Sequence, residues 1–323
     1  MPNRTTPLTP ARPSDAGPRP SRTALLSRTA LLGGPTPILI AAVLWGTTGT
    51  AGSLAPVGAP TVAIGSAGLA LGGILLVLTS RGARSLPAAC TRRERWLLVL
   101  GALAVAGYPV TYYPAVARTG VAVATVIALG SAPVFAGLLS WLTGRARPTA
   151  RWTAATAAAV LGCALLVLGP EFTGAGTPID LTGVALAACA GLSYAVYSLI
   201  GGSLITRGHS SDAVMGVLFG AAGLLVLPLL WSVDLRWIAT PRGAAVTVYL
   251  ALFTVYLAYR LFGHGLRRTS ASAATSLTLA EPAVAAVLSV TVLDERLPAA
   301  SWTGLTVLAL SLTLLTLPTD RTR

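Results

Sequence analysis

From residue 36 onward the chain consists of ten apolar runs, each close to 20 residues long, separated by short breaks. They cover about 36–54, 59–79, 97–116, 120–142, 152–169, 182–204, 213–231, 245–263, 270–293 and 301–317, numbered here as spans 1 to 10. A bilayer-crossing helix needs about 20 apolar residues, so each run has the length of one crossing. Lipid cannot satisfy free backbone N–H and C=O groups, which restricts such runs to helices or a closed barrel. Long apolar runs without period-2 alternation favour helices. Composition agrees: 54% of residues are hydrophobic and 10% charged, against about 25% charged in a soluble domain. That excludes a soluble enzyme and a disordered protein. The expected fold class is an all-α membrane protein of ten transmembrane helices.

The net charge of +13 is carried entirely by arginine, 23 of them with no lysine, against 10 acids. In a soluble protein this would suggest nucleic acid. Placed on the spans, it sorts by side instead. With the N-terminus inside, only Arg118, Arg236, Arg242 and Arg296 fall outside, and the other nineteen fall inside. Positive charge accumulates on the cytoplasmic side of membrane proteins, so the split predicts cytoplasmic N- and C-termini in a plasma-membrane protein, and no nucleic-acid partner. Residues 1–35, rich in Pro, Arg, Ser and Thr, read as a disordered cytoplasmic tail, and 318–323 as a short cytoplasmic C-terminal tail.

Cys90, Cys163 and Cys189 have no CxxC spacing, so neither a disulfide framework nor a zinc site is expected, and no cofactor. Trp96, Trp141, Trp152, Trp231 and Trp302 sit near span ends and read as interfacial anchors. Gly68-x-x-x-Gly72 and Gly216-x-x-x-Gly220 permit close helix approach.

The sequence also repeats itself at about 150 residues. Arg118-Thr119 matches Arg268-Thr269, Ala124-Thr125 matches Ala274-Thr275, and Leu129 matches Leu279. After a one-residue slip Pro133 matches Pro282 and Ala136 matches Ala285; Trp152-Thr153 then matches Trp302-Thr303. Spans 4–5 therefore resemble spans 9–10, which divides the chain into halves at 36–169 and 182–317. Five helices per half is odd, so the second half enters the membrane from the opposite side. The halves are inverted repeats, the architecture of many secondary transporters, with the substrate site between repeats near mid-membrane.

In these motifs residues 36–317 resemble the drug/metabolite transporter superfamily, in its ten-helix branch with two EamA-type domains. The resemblance rests on Leu44-Trp45-Gly46, on the run from Tyr113 through Ala124-Thr125 to Pro133-Val134-Phe135, and on the stretch from Glu281-Pro282 through Leu293-Asp294-Glu295-Arg296-Leu297 to Trp302-x-Gly304. Asp294 stands where the family usually has Gly. Gly144-Arg145-Ala146-Arg147 replaces the usual Gly-Glu of the first half. The resemblance implies a solute carrier, often an exporter of amino acids or other small metabolites.

Glu281, near the middle of span 9, is the one acid placed deep in the membrane. A charge there costs several kcal/mol, roughly 3 on insertion scales, so such a residue usually serves a proton, an ion or a substrate amine, against a purely structural role. Pro282 is expected to free a carbonyl one turn earlier for the same cavity. Trp45 with Tyr194 and Tyr197 offers flat aromatic surface that either lines a cavity or packs the halves together. Trp45 and Tyr194 are equivalents across the repeat, at an offset of 149. Tyr108 and Tyr112 share a face of span 3, and Tyr256 is a similar candidate in span 8; packing is the alternative for each. Thr125 and Thr275, repeat-related, are placed to bond a solute or another helix. Arg260 and His264 lie a turn apart in span 8, as snorkelling residues or as a gate or carboxylate site. Glu295 is expected to end span 9 and pair with Arg296 or a loop partner.

These features point to a secondary active transporter of a small metabolite, with export of amino acids or related compounds by alternating access as the leading form and proton coupling a natural role for Glu281. The competing readings are a drug or quaternary-amine exporter, an importer, and a membrane sensor or assembly subunit. No Gly-x-x-x-x-Gly-Lys-Ser/Thr is present for ATP-driven transport. An embedded enzyme would need clustered acids or paired histidines, and the two histidines stand 55 residues apart. Oligomeric state is left open by the sequence.

Overall fold

A computed structural model describes residues 34–144, 147–168, 180–292 and 297–316. Among the described residues all regular structure is helical. Eight helices are each long and apolar enough to cross a membrane. One of them, Arg92–Leu142, is 51 residues long, about 76 Å at 1.5 Å per residue, against a hydrocarbon core of about 30 Å. Gly120 inside it has φ 82 and ψ 160, a conformation open to glycine and strained for other residues. The chain turns back there, and the helix is spans 3 and 4 joined without a loop. Span 1 is split instead, into Pro35–Gly46 and Thr48–Ser53. With these, the ten spans are all present as two inverted five-helix repeats.

Local chemistry sets many span starts. Thr91 and Glu94 form a reciprocal capping box at the start of span 3. Asp180 caps span 6 through the Gly183 N–H at 3.0 Å, Thr240 caps span 8 through Gly243, and Ser270 caps span 9 through Ala273. Span 8 runs from Pro241 to Gly265 and holds a wider π-type stretch at Leu250–Leu257. Span 9 breaks into Ala271–Leu277 and Ala280–Val292.

Packing follows the repeat. Span 6 lies in the groove between spans 3 and 4, where an added Cβ on Gly191 would stand 2.5 Å from the Ala128 carbonyl oxygen and one on Gly101 would meet Ile200. Its repeat equivalent, span 1, lies likewise against spans 8 and 9: Gly265 faces Ile38, and Gly46 faces Val284 and the Glu281 carbonyl. The trio 3, 4 and 6 is thus matched by the trio 8, 9 and 1. Spans 2 and 7 form one flanking pair, with Gly216 and Gly220 against Leu76 and Val77. Spans 5 and 10 form the other, crossing where Gly162 and Gly304 face each other's backbone. The sequence halves are therefore interleaved rather than separate bodies.

Large apolar side chains such as Ile74, Leu103, Leu225 and Leu310 project outward, as a lipid-facing surface requires. Trp96, Trp141, Trp231 and Trp302 are exposed at span ends. Trp152 departs from that expectation: it is turned inward under Gly137, with its indole N–H buried. Glu295 and Arg296, together with residues 1–33 and 317–323, lie outside the described residues.

Candidate functional site

The two helix trios meet along a seam of aromatic side chains. Trp45 and Tyr194, equivalent positions of the repeat, touch edge-to-face with ring centroids 6.4 Å apart. Around them stand Tyr259, 4.9 Å from Trp45, and Phe262, 5.5 Å from Trp45. Tyr197 continues the cluster, 5.2 Å from Tyr194, and its hydroxyl meets that of Tyr259 at 3.2 Å. Tyr259 and Phe262 were not expected from the sequence. Their signal was the spacing Tyr256, Tyr259, Phe262, which places Tyr259 and Phe262 three apart on one face of span 8, with Tyr256 starting the same i, i+3 series.

Hydrogen bonding decides what several of these rings do. The Trp45 indole N–H donates to the Thr254 carbonyl at 2.8 Å, within the π-type stretch of span 8, where the regular ladder is disturbed. Trp45 is 8% exposed. It ties span 1 to span 8 and presents little free surface. The Tyr194 hydroxyl donates to Thr278 Oγ1 at 2.8 Å, and Thr278 Oγ1 in turn donates to the Thr275 carbonyl at 2.9 Å. That chain holds the break in span 9.

The break sets up Glu281. Residues Thr278 and Leu279 separate the half-helices, so Glu281 falls in the first turn of Ala280–Val292, the end of a helix whose dipole favours negative charge. A broken helix at mid-membrane that exposes a helix end is a recurrent device of transporters. Pro282 does not free the carbonyl as expected, because the Glu281 N–H takes the Thr278 oxygen at 3.0 Å. The Glu281 side chain is half-buried. Among the described residues its carboxylate accepts no hydrogen bond and meets no cation. It lies within electrostatic reach of Tyr108, Tyr112, Tyr194 and Tyr259. Its repeat equivalent, by the Pro133–Pro282 match, is the buried Ala132, so the acid belongs to one half only.

The remaining candidates separate into three places. Tyr108 and Tyr112 stack with centroids 5.5 Å apart, and the Tyr112 hydroxyl meets Thr125 Oγ1 at 2.6 Å, joining spans 3 and 4 beside the seam. Thr275 is fully buried and donates to the Ser272 carbonyl of its own helix. Arg260 lies at the arginine-rich end, donating to Asp212 Oδ2 at 2.8 Å and to the Tyr256 hydroxyl at 2.8 Å. This network borders a cleft of about 600 Å³ with Thr79, Arg81, Gly82 and Ser210. His264, one turn on, is exposed and apart from it. A smaller cleft of about 250 Å³ lies near Trp152, Arg147 and Ser272, at the ends of spans 4, 5 and 9.

At the opposite end, Arg118 reaches Asp180 at 3.3 Å, tying the turn between spans 3 and 4 to the start of span 6. The Gly183 N–H, with Arg118 beside it, holds the Asp180 carboxyl below the usual carboxylate range.

Comparison with known proteins places this arrangement. Residues 33–168 and 181–317 each match the model of the EamA-like transporter family. The uncharacterized transporter YwfM of Bacillus subtilis (strain 168) is 40% identical over 276 residues, covering 85% of this chain and 90% of that protein. A solved crystal structure, 20% identical, superposes with a TM-score of 0.73 over 89% of this chain and 96% of its own; at that identity it speaks for the fold alone.

Proposed function

From the premise that this chain belongs to the EamA-like transporter family and is a multi-pass membrane transporter, we propose that it exports a small zwitterionic or cationic metabolite, an amino acid or a related amine, in exchange for protons. One observation carries the reading: Glu281, half-buried at the break of span 9, has no partner among the described residues. A carboxylate at membrane depth is costly unless something compensates it, and a proton and a substrate ammonium group are the two compensators that can come and go. Both compete for the same oxygens, which is the simplest form of antiport. The aromatic rings beside it supply faces that attract an ammonium group.

The moving bodies in this account are the two helix trios, 3–4–6 and 8–9–1, hinged at the seam between them. Motion of one trio against the other opens the seam first to one side and then to the other. The interleaving of the halves explains why the trios, and not residues 36–169 and 182–317 as blocks, are the units. The orientation is N- and C-termini inside, in the plasma membrane, which puts the Arg260–Asp212 network at the cytoplasmic end. The protein is a carrier rather than an enzyme.

The test compares small molecules inside and outside cells that express the protein or lack it. Export predicts an amino acid or amine that rises in the medium on expression. Accumulation inside the cells instead would make the protein an importer, and an unchanged profile of amines and amino acids would refute the substrate class.

A further inference from the structure

Cys90 and Glu94, four residues apart, meet His209, more than a hundred residues further along the chain, at the arginine-rich end of the bundle. The Cys90 Sγ lies 3.9 Å from His209 Nε2, and His209 Nε2 lies 3.5 Å from Glu94 Oε1. All three donor atoms fall within 4.8 Å of one another. We propose that they form a transition-metal site, selective for zinc, that bridges the two repeats.

The distances fit the ion. Zinc bonds of about 2.3 Å to sulfur and about 2.0–2.2 Å to nitrogen and oxygen, at tetrahedral angles, put sulfur and nitrogen about 3.6 Å apart and nitrogen and oxygen about 3.4 Å apart. The sulfur–nitrogen separation of 3.9 Å and the nitrogen–oxygen separation of 3.5 Å lie within about 0.3 Å of these values, and the sulfur–oxygen separation is at most 4.8 Å, so the three side chains need only draw together around the ion. The donor types fit as well: a thiolate with an imidazole favours zinc over magnesium or calcium, which take oxygen ligands.

Each ligand is held by the end of a helix. Glu94 is fixed by the capping box, with Oε2 accepting from the Thr91 N–H at 3.0 Å and from Thr91 Oγ1 at 2.9 Å, which leaves Oε1 facing the site. Cys90 is buried and directly precedes that cap. His209 follows the C-terminus of span 6, where the His209 N–H bonds the Leu204 carbonyl and the Gly208 N–H bonds the Ile205 carbonyl. That pair is the Schellman pattern, and Gly208 supplies its positive φ of 101. Carboxylate ligands with a bonded second oxygen are typical of established metal sites. One group competes: Arg207 reaches Glu94 Oε1 at 3.5 Å. Its side chain is 38% exposed and free to swing to solvent when an ion arrives.

No short-spacing motif marks this site: Cys90 and Glu94 stand four residues apart, but the third ligand, His209, lies 119 residues from Cys90. Cys90 and Glu94 belong to the first repeat and His209 to the second. A bound ion therefore ties the loop between spans 2 and 3 to the loop between spans 6 and 7. Spans 3 and 6 belong to the same trio, so the ion braces that trio internally and leaves its motion against the other trio free; this consequence rests on the alternating-access reading, whereas the binding itself does not.

The test uses the full chain purified in detergent and titrated with cobalt(II), which reports thiolate ligation by a charge-transfer absorption band. Wild type is expected to take up one equivalent, show the band, and lose it when zinc is added. Cys90→Ser should lose the band. His209→Gln, which spares the buried cysteine, should melt like wild type without metal, yet show neither stoichiometric uptake nor the rise in melting temperature that zinc gives wild type. No band in wild type overturns the proposal. So does a band that persists in Cys90→Ser, which would assign it to Cys163 or Cys189. Zinc stabilisation of His209→Gln equal to that of wild type overturns it too.

Discussion

Replacing Gly46 by alanine tests the seam between spans 1 and 9. An added Cβ would stand 2.6 Å from Val284 Cβ, 2.8 Å from Val284 Cγ1 and 2.9 Å from the Glu281 carbonyl oxygen. Carbon atoms in contact settle at about 3.5–4.0 Å, so the two helices must part by about 1 Å. One obstacle is the backbone, and Val284 obstructs through its own Cβ, so no rotamer change relieves the clash. Overpacking of this kind costs about 1–3 kcal/mol. Gly49, three residues on and also helical, has nothing within 4 Å of an added Cβ. There alanine should be neutral or gain about 0.5–1 kcal/mol from reduced unfolded-state freedom. The two variants are thus expected to differ by about 1–4 kcal/mol, with Gly46→Ala the less stable. Thermal unfolding in detergent, followed by retention on size exclusion, reads the difference. Equal melting temperatures for Gly46→Ala and Gly49→Ala would refute the close approach of spans 1 and 9 at Glu281.

Trp45→Phe keeps the ring contacts but removes the indole donor to the Thr254 carbonyl; hydrogen bonds between membrane helices are worth about 0.6 kcal/mol on average and up to about 1.7, and the melting temperature should fall accordingly. Tyr194→Phe leaves the Thr278 hydroxyl still donating to the Thr275 carbonyl, so no buried donor is orphaned and the loss should stay near 1 kcal/mol, measurable in the same assay; a loss several times larger would mean the break in span 9 depends on more than this bond. For Asp180 the folded carboxyl titrates below its ordinary value, so its contribution is fully present above about pH 4 and is lost as pH falls through the folded value. The gap in melting temperature between wild type and Asp180→Ala should therefore shrink on acidification, and a gap that stays constant down to about pH 3 would contradict the cap and the Arg118 pair.

Span positions were readable from sequence because hydropathy and length are local properties imposed by the bilayer. The inversion was readable because an odd helix count per repeat admits one geometry. The Leu44-Trp45-Gly46 motif was legible as a pattern, and the structure supplies its cause: Trp45 bonds span 8 while Gly46 admits span 9. What stayed hidden depends on contacts between distant residues. Nothing in the local sequence says that Gly120 replaces a loop, that Trp152 turns inward, or that the Glu281 N–H takes the oxygen Pro282 leaves. Tyr259 and Phe262 were overlooked because aromatic residues in an apolar helix look alike whether they face lipid or a seam. Repeat equivalence with Thr125 fixes the place of Thr275 in the fold and says nothing of its burial.

The central claim is that the Glu281 carboxyl exchanges a proton for the substrate. Proteoliposomes holding wild type or Glu281→Gln, loaded with the amino acid or amine that export from cells identifies, are given an imposed pH gradient. Gradient-driven movement is expected in wild type and its loss in Glu281→Gln, with a rate that no longer depends on pH. Gradient-driven movement at the wild-type rate and with the wild-type pH dependence in Glu281→Gln would contradict it.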